Sequence, residues 1–364
     1  MLIVRSPVRI SFGGGGTDLP VYYEQFGGAV LSVSIDKYFY TILGSRKDGR
    51  IQVISSDLRV FETWHDIANM PLRGGSELEI PLAVLKEVGS NVSVDLFLAS
   101  EIPPGTGLGS SASVCVNILK TLTTYVQSPL SKYELAERAF NIARNMLGRH
   151  VGKQDEYAAS FGGLNYISFH QNGSTHVEPL DLDVVILREL HSNLMLFFTG
   201  SAHHSWTILR EQEASARVHT SATVEALHEV KALGAKMRIA LQRGELRRFG
   251  DLLHESWLAK QRFSSKISTP RIDLLYGLAR ENGAIGGKIT GAGGGGFLLL
   301  YCEAEYQPAV RQAVLKEGAQ EMAFGFDMLG AQVIANDPFI DADQKGGSRW
   351  IFVPTAACLV PGGN

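Results

Sequence analysis

Apolar positions along the chain change period several times, and each change marks an element. Residues 8–12, 29–40, 50–55 and 92–99 are rich in Val, Ile and aromatics with partial two-residue alternation, which predicts strands. From Ser110 the period becomes helical, with Cys115, Ile118, Leu119, Leu122, Tyr125 and Val126 on one face. A second helix over 132–147 gathers Ala136, Ala139, Phe140, Ala143 and Leu147. Strands return at 163–169 and 194–198, a polar-helical stretch fills 205–260, and a helix follows over 273–282. Strand 296–302, helix 308–318 and strand 332–335 complete the pattern. The order predicts an α/β part followed by an α+β part. The boundary falls near 189–192, giving units 1–190 and 191–336, while residues 337–364 show no period and stay unassigned.

Composition narrows the classes without choosing among them. A chain of 364 residues, 45% hydrophobic and 20% charged, suits a folded protein of about two domains. A net charge of −3 and the lack of a polybasic block argue against nucleic acid or an anionic membrane as partner. The apolar runs are too short for a bilayer span or a signal segment, so a cytoplasmic protein is expected. Three scattered cysteines, Cys115, Cys302 and Cys358, exclude a disulfide framework and a thiolate cluster. Among the histidines no metal-binding spacing occurs, so no catalytic zinc is expected. Trp64, Trp206, Trp257 and Trp350 would pack in the core or cover an adenine, with nothing to select among them.

The glycines are more telling, because they cluster beside apolar segments, where they mark tight turns or close backbone approach. Three clusters matter: Gly13, Gly14, Gly15 and Gly16; Gly105, Gly107 and Gly109; and Gly291 with Gly293 to Gly296. The second lies in PPGTGLGSSAS (103–113), where a glycine-rich loop delivers Ser110 and Ser111 into the first turn of an amphipathic helix. Backbone N–H groups and the positive end of the helix dipole make such a turn an anion site suited to polyphosphate. A serine hydroxyl there can ligate the Mg²⁺ that accompanies a nucleotide. The same serines would also serve as a plain N-cap. No Gly-Lys-Ser/Thr follows, so this is not a Walker A loop.

Residues 103–112 resemble the second signature of the GHMP kinases (galactokinase, homoserine kinase, mevalonate kinase, phosphomevalonate kinase), Pro-x-x-x-Gly-Leu-Gly-Ser-Ser-Ala. Two further signatures appear in order: SPVRISFGGGGTD (6–18) is similar to the family's N-terminal motif, and KITGAGGGGF (288–297) to its third. The resemblance covers residues 1–335 and implies a two-domain α/β and α+β architecture with the active site in the interdomain cleft. It also implies ATP and Mg²⁺ as cofactors, with Pro103, Gly105, Gly107, Leu108, Gly109, Ser110, Ser111, Ala112, Gly293 and Gly294 at the nucleotide. Ser110 or Ser111 would touch the metal. Asp155, in GKQD (152–155), matches the family's catalytic aspartate, and Arg9 the cation beside it. Read locally, Asp155 is equally an N-cap and Arg9 a strand-edge cation. Gly13, Gly14, Gly15, Gly16, Thr17 and Asp18 match the sugar-binding end; a turn after four glycines is the other reading.

Within the family the fuller match is to bacterial heptose 7-phosphate kinases, on RISFGGGGTDLP, VGKQDEYAASFGGLNYI, HESWLAKQRFSSKIS and GGKITGAGGGGF. That resemblance implies transfer of the ATP γ-phosphoryl group to O1 of a heptose 7-phosphate, with a small phosphorylated sugar as the partner. Lys153, Lys260, Arg262 and Lys288 are candidates for holding the 7-phosphate, each also readable as a solvated surface cation. Another sugar-1-kinase of fucokinase or galactokinase type, or a non-catalytic sensor of sugar or nucleotide, are the competing readings. An intact Arg9, Asp155 and Ser110-Ser111 set favours the enzyme. One departure stands out. Many GHMP kinases place a metal-holding glutamate on the helix before the catalytic aspartate, and alignment through the Leu-Gly turn puts Ala143 there.

Overall fold

A computed structural model describes residues 1–72, 77–89, 92–200, 210, 213 and 222–337. Two sheets organise them. In the first, β1 (Leu2–Gly13) runs antiparallel along β2 (Gly28–Ser45), which continues past the expected 29–40 because Thr41 and Leu43 keep the alternation and are fully buried. The far edge of β2 is shared. Its first residues pair with β6 (Leu164–Phe169), which pairs with β7 (Thr175–Pro179). Its last residues pair with β5 (Val94–Ser100), which lies parallel to β3 (Ile51–Ser55). β4 (Val60–Trp64) closes that side against β3. The second sheet is antiparallel, ordered β11 (Gln320–Glu321), β8 (Leu194–Phe198), β10 (Phe297–Tyr301) and β9 (Gly286–Ile289).

Alternation on β1 explains how core and chemistry come from one strand. Val8, Ile10 and Phe12 enter a core shared with the second sheet and with α7 (Ala222–Gln242) and α8 (Leu246–Gln261). Phe12 meets Phe249 edge-on at 5.2 Å between ring centroids, and burying each such ring contributes about 1.5–3 kcal/mol. Arg9 and Ser11, of opposite parity, face the other way, where α3 (Ser110–Tyr125) and α5 (Gln154–Phe161) pack on the sheet. A second core gathers Leu2 and Val4 with α2 (Glu79–Val88), α3 and α4 (Lys132–Asn141). A full capping box between Ser131 and Glu134 starts α4. The expected helix 132–147 stays regular only to Asn141 and ends in a π turn, Ile142–Met146. The polar-helical stretch resolves into α7 and α8, interrupted at Gly244, whose φ of +70° suits glycine; residues 205–209 and most of those up to 221 lie outside the described residues.

The expected boundary at 189–192 falls in the last turn of α6 (Val184–Ser192). The strand that ends the expected unit 191–336, β12 (Gln332–Asn336), pairs outside the second sheet, with β1 in the first. Without it the outer edge of β1 would present unpaired backbone groups, and Arg5 would lose the Gln332 side-chain oxygen, Oε1, to which it donates at 3.2 Å. Trp64 and Trp257 are core residues, while Trp206, Trp350 and Cys358 lie outside the described residues. Cys115 and Cys302 are buried free thiols. Among the described residues no helix is long and apolar enough to cross a membrane.

Candidate active site

A cavity of about 760 Å³ opens where the glycine loop before α3, the odd face of β1 and the start of α5 meet the second sheet. The loop is shaped by Gly105, Gly107 and Gly109, all at φ between +75° and +82°. Ser110 and Ser111 open α3 directly after Gly109, so the first N–H groups of the helix have no intrahelical acceptor. Both serines and Ala112 line the cavity. The loop is held from two sides: the Arg9 amide donates to the Leu108 carbonyl at 2.9 Å, and the Phe297 amide to the Thr106 carbonyl at 3.3 Å.

Arg9 and Asp155 meet at the centre of this wall. The guanidinium forks onto the carboxylate, Nε to Oδ1 at 2.7 Å and Nη2 to Oδ2 at 2.6 Å, while Nη1 donates to the Gly107 carbonyl at 2.7 Å. The arginine side chain is 5% exposed and the aspartate 28%; both line the cavity, and the carboxylate is the more open of the two. Asp155 is the second residue of α5, so its carboxylate answers Arg9 and does not cap the helix. Gln154 supports it: the amide nitrogen reaches Asp155 Oδ1 at 3.4 Å and the amide oxygen accepts from the Ser11 hydroxyl at 2.6 Å. Gln154 and Ser11 were not candidates; their adjacency to Asp155 and to the parity of Arg9 was the signal.

Next to the pair lies Asp18, buried, with Oδ1 accepting from the Gly16 amide at 2.9 Å and Oδ2 from the Gln154 amide at 3.2 Å. Burial pushes its carboxyl pKa up, and the negative Asp155 adds to this against the two amides. Glu156, also on the cavity wall, is raised well above its ordinary range by burial and by Asp155, and its Oε2 has no partner among the described residues.

Other candidates sit elsewhere. Thr17 is fully buried and its hydroxyl serves the backbone, accepting from the Ala29 amide at 3.0 Å and within 2.8 Å of the Gly14 carbonyl. Gly15 and Gly16 line the cavity, but Gly13 and Gly14 do not; a Cβ on Gly14 would lie 1.9 Å from the Ala29 oxygen. Lys153 points away and donates to Glu137 and to the Gly173 carbonyl, both at 2.7 Å. Arg262 is half-exposed and paired with Glu229. Pro103, Leu108, Gly293 and Gly294 are not on the cavity wall; Gly294 donates its amide to Ile267 at 2.8 Å. From the third glycine motif it is Gly291 and Ala292 that reach the cavity, with Lys260 and Lys288.

Among the described residues no three His, Cys, Asp or Glu side chains gather into a metal site. Ser110 and Ser111 supply hard oxygen donors at the helix start, which fits a Mg²⁺ that keeps most of its ligands as water and nucleotide oxygens. Ala143, on the π turn, lines the same cavity.

A helix start with free amides, a forked cation–carboxylate pair and a buried carboxylate thus meet on one wall. Residues 79–163 match the description "GHMP kinases N terminal domain" and residues 237–320 "GHMP kinases C terminal". The D-glycero-alpha-D-manno-heptose 7-phosphate kinase of Campylobacter jejuni is 31% identical over 90% of this chain and 97% of its own length. A crystal structure of a D-glycero-D-manno-heptose 1-phosphate kinase from Bacteroides thetaiotaomicron superposes with a TM-score of 0.75 at 28% identity, covering 93% of this chain and 100% of that one. The L-fucokinase/L-fucose-1-P guanylyltransferase of Bacteroides fragilis is 27% identical over 86% of this chain and 36% of its own length. The chain belongs to the GHMP kinase family and is a phosphotransferase.

Proposed function

We propose that this protein transfers the γ-phosphoryl group of ATP to O1 of D-glycero-α-D-manno-heptose 7-phosphate, releasing ADP and the 1,7-bisphosphate. The observation that carries the reading is the Arg9–Asp155 fork, set between the start of α3 and the Gly15, Gly16 and Asp18 end of the cavity. The O1–phosphorus bond forms as the bond from the γ-phosphorus to the bridging oxygen breaks, and that electron pair leaves with ADP. The O1 proton passes to the free face of the Asp155 carboxylate. Arg9 keeps that carboxylate in place and offsets the charge spreading over the transferred group. Asp18 accepts hydroxyl hydrogens from the sugar, orienting it. The α3 amides receive the polyphosphate, and Mg²⁺, held through Ser110 or Ser111, would offset its charge.

The sugar is argued from the likeness to the heptose kinases. A coupled ADP-release assay with heptose 7-phosphate, heptose, fucose and galactose side by side tests it. Heptose 7-phosphate is expected to give the highest kcat/KM. A higher value for fucose or galactose overturns the substrate, and no ADP release with any of the four overturns the reaction.

A further inference from the structure

Two lysines on the cavity wall are placed as no ordinary structural lysine is. Lys260, from α8, is 8% exposed, and its ammonium donates only to carbonyls, those of Gly291 and, at 3.4 Å, Ile289. Lys288, from β9, is 3% exposed and donates to the Phe12 carbonyl at 3.1 Å. Among the described residues neither ammonium has a carboxylate partner, and Arg9, whose charge bears on both, has its own in Asp155. Arg9, Lys260 and Lys288 thus share the cavity wall with Asp155, Asp18 and Glu156, and of these carboxylates it is Asp155 that pairs with a cation, Arg9. Buried ammonium groups without counter-charge are costly, which is why proteins pair them. Burial, Lys288 and Arg9 hold Lys260 well below its ordinary range, and burial with Arg9 brings Lys288 down to about 7.

We infer that Lys260 and Lys288 form a phosphate-binding pair whose missing counter-charge is a phosphoryl dianion brought by the ligand. The positions bracket the line of transfer. Lys260 holds Gly291, which abuts Gly107 of the nucleotide loop, whereas Lys288 holds Phe12, directly before the Gly13 to Gly16 acceptor turn. Either the terminal phosphate of the nucleotide or the phosphate already on the acceptor supplies this chemistry. The inference rests on the kinase reading but not on the sugar.

Calorimetric titration at about pH 8, where a lysine of pKa about 7 is mostly neutral, is the test. Runs in two buffers of different ionisation enthalpy give the protons taken up. The probes are a Mg²⁺-loaded non-hydrolysable ATP analogue and heptose 7-phosphate, with adenosine and unphosphorylated heptose as controls. A dianion raises the pKa of Lys288, so wild type takes up protons on binding the phosphorylated probe. Uptake that persists in Lys288→Met belongs to the neighbouring carboxylates Asp18, Asp155 and Glu156. Lys260→Met and Lys288→Met are expected to weaken the phosphorylated probe about 10–100-fold, the scale of a lost charge-assisted hydrogen bond, and to leave the controls unchanged. Weakening of the nucleotide alone assigns the pair to the donor phosphate; weakening of heptose 7-phosphate alone assigns it to the acceptor. Unchanged affinity for both overturns the pair. Should wild type bind nucleotide and ignore heptose 7-phosphate, the sugar fails while the nucleotide arm still judges the lysines. Removing an unpaired buried charge is expected to leave the ligand-free variants at least as heat-stable as wild type. A variant that fails to fold assigns the lysines to structure.

Discussion

Asp155 is held by Arg9 through both carboxylate oxygens yet keeps one face open, so its charge and its geometry can be separated by substitution. Asp155→Asn keeps the shape, turns an acceptor toward Arg9 into a donor and can take no proton. Nucleotide affinity should hold while turnover falls roughly 10²–10⁴-fold, the usual range for a lost acid–base group. Equilibrium nucleotide binding and ADP release check this, and near-normal turnover would sink the assignment. The pair is 146 residues apart in sequence, so only the motifs that carry each partner make it legible beforehand. Thr17 and Lys153 sit inside or beside those motifs and turn elsewhere, because Ala29, Glu137 and Gly173 supply their partners. Motif membership fixes a residue's neighbourhood; the direction of a side chain depends on partners that arrive from distant segments. Ala143 shows the opposite case, where a small side chain hides a position on the cavity wall. Ala143→Glu should lower the Mg²⁺ concentration for half-maximal rate and tighten Mn²⁺ binding. Unchanged metal dependence in a folded variant would mean that the carboxylate position lies elsewhere.

At the scale of elements, the glycine motifs work on each other as much as on a ligand. Gly291, at φ +67°, lies so close to the nucleotide loop that an added Cβ would stand 2.5 Å from the Gly107 Cα. Gly291→Ala should therefore cost about 1–3 kcal/mol in stability and weaken nucleotide binding by pushing Gly107 aside. Gly277→Ala, in a helix with nothing within 4 Å of the new methyl, is the control and should be neutral or mildly stabilising. Thermal melts with and without nucleotide separate the two; equal behaviour would mean that the motif contact does not matter. Strong patterning made α3 and β10 readable, whereas 205–260 reads as a single polar-helical stretch and does not show where α7 ends and α8 begins. Short or half-exposed elements such as β4, whose pattern alternates between half-buried and exposed positions until Trp64, carry too little signal. The π turn after α4 has none, since its pattern departs from a helix only in hydrogen bonding.

On the scale of the whole molecule, two signatures of a two-part chain coexist with a core that both sheets share. Val8, Ile10 and Phe12 of the first sheet share a buried cluster with Leu196, Leu298 and the helices α7 and α8. The sequence period distinguishes the parts but says nothing about how they are joined, because the joining side chains look like any other core residue. The return of β12 to β1 has a mechanical meaning. Residues 1–190 alone would carry β1 as an open edge, with Leu2 and Val4 beside a row of free amides and carbonyls. Such an edge is a template for another copy of itself, so the last strand among the described residues works as a guard against self-association of the part that comes first.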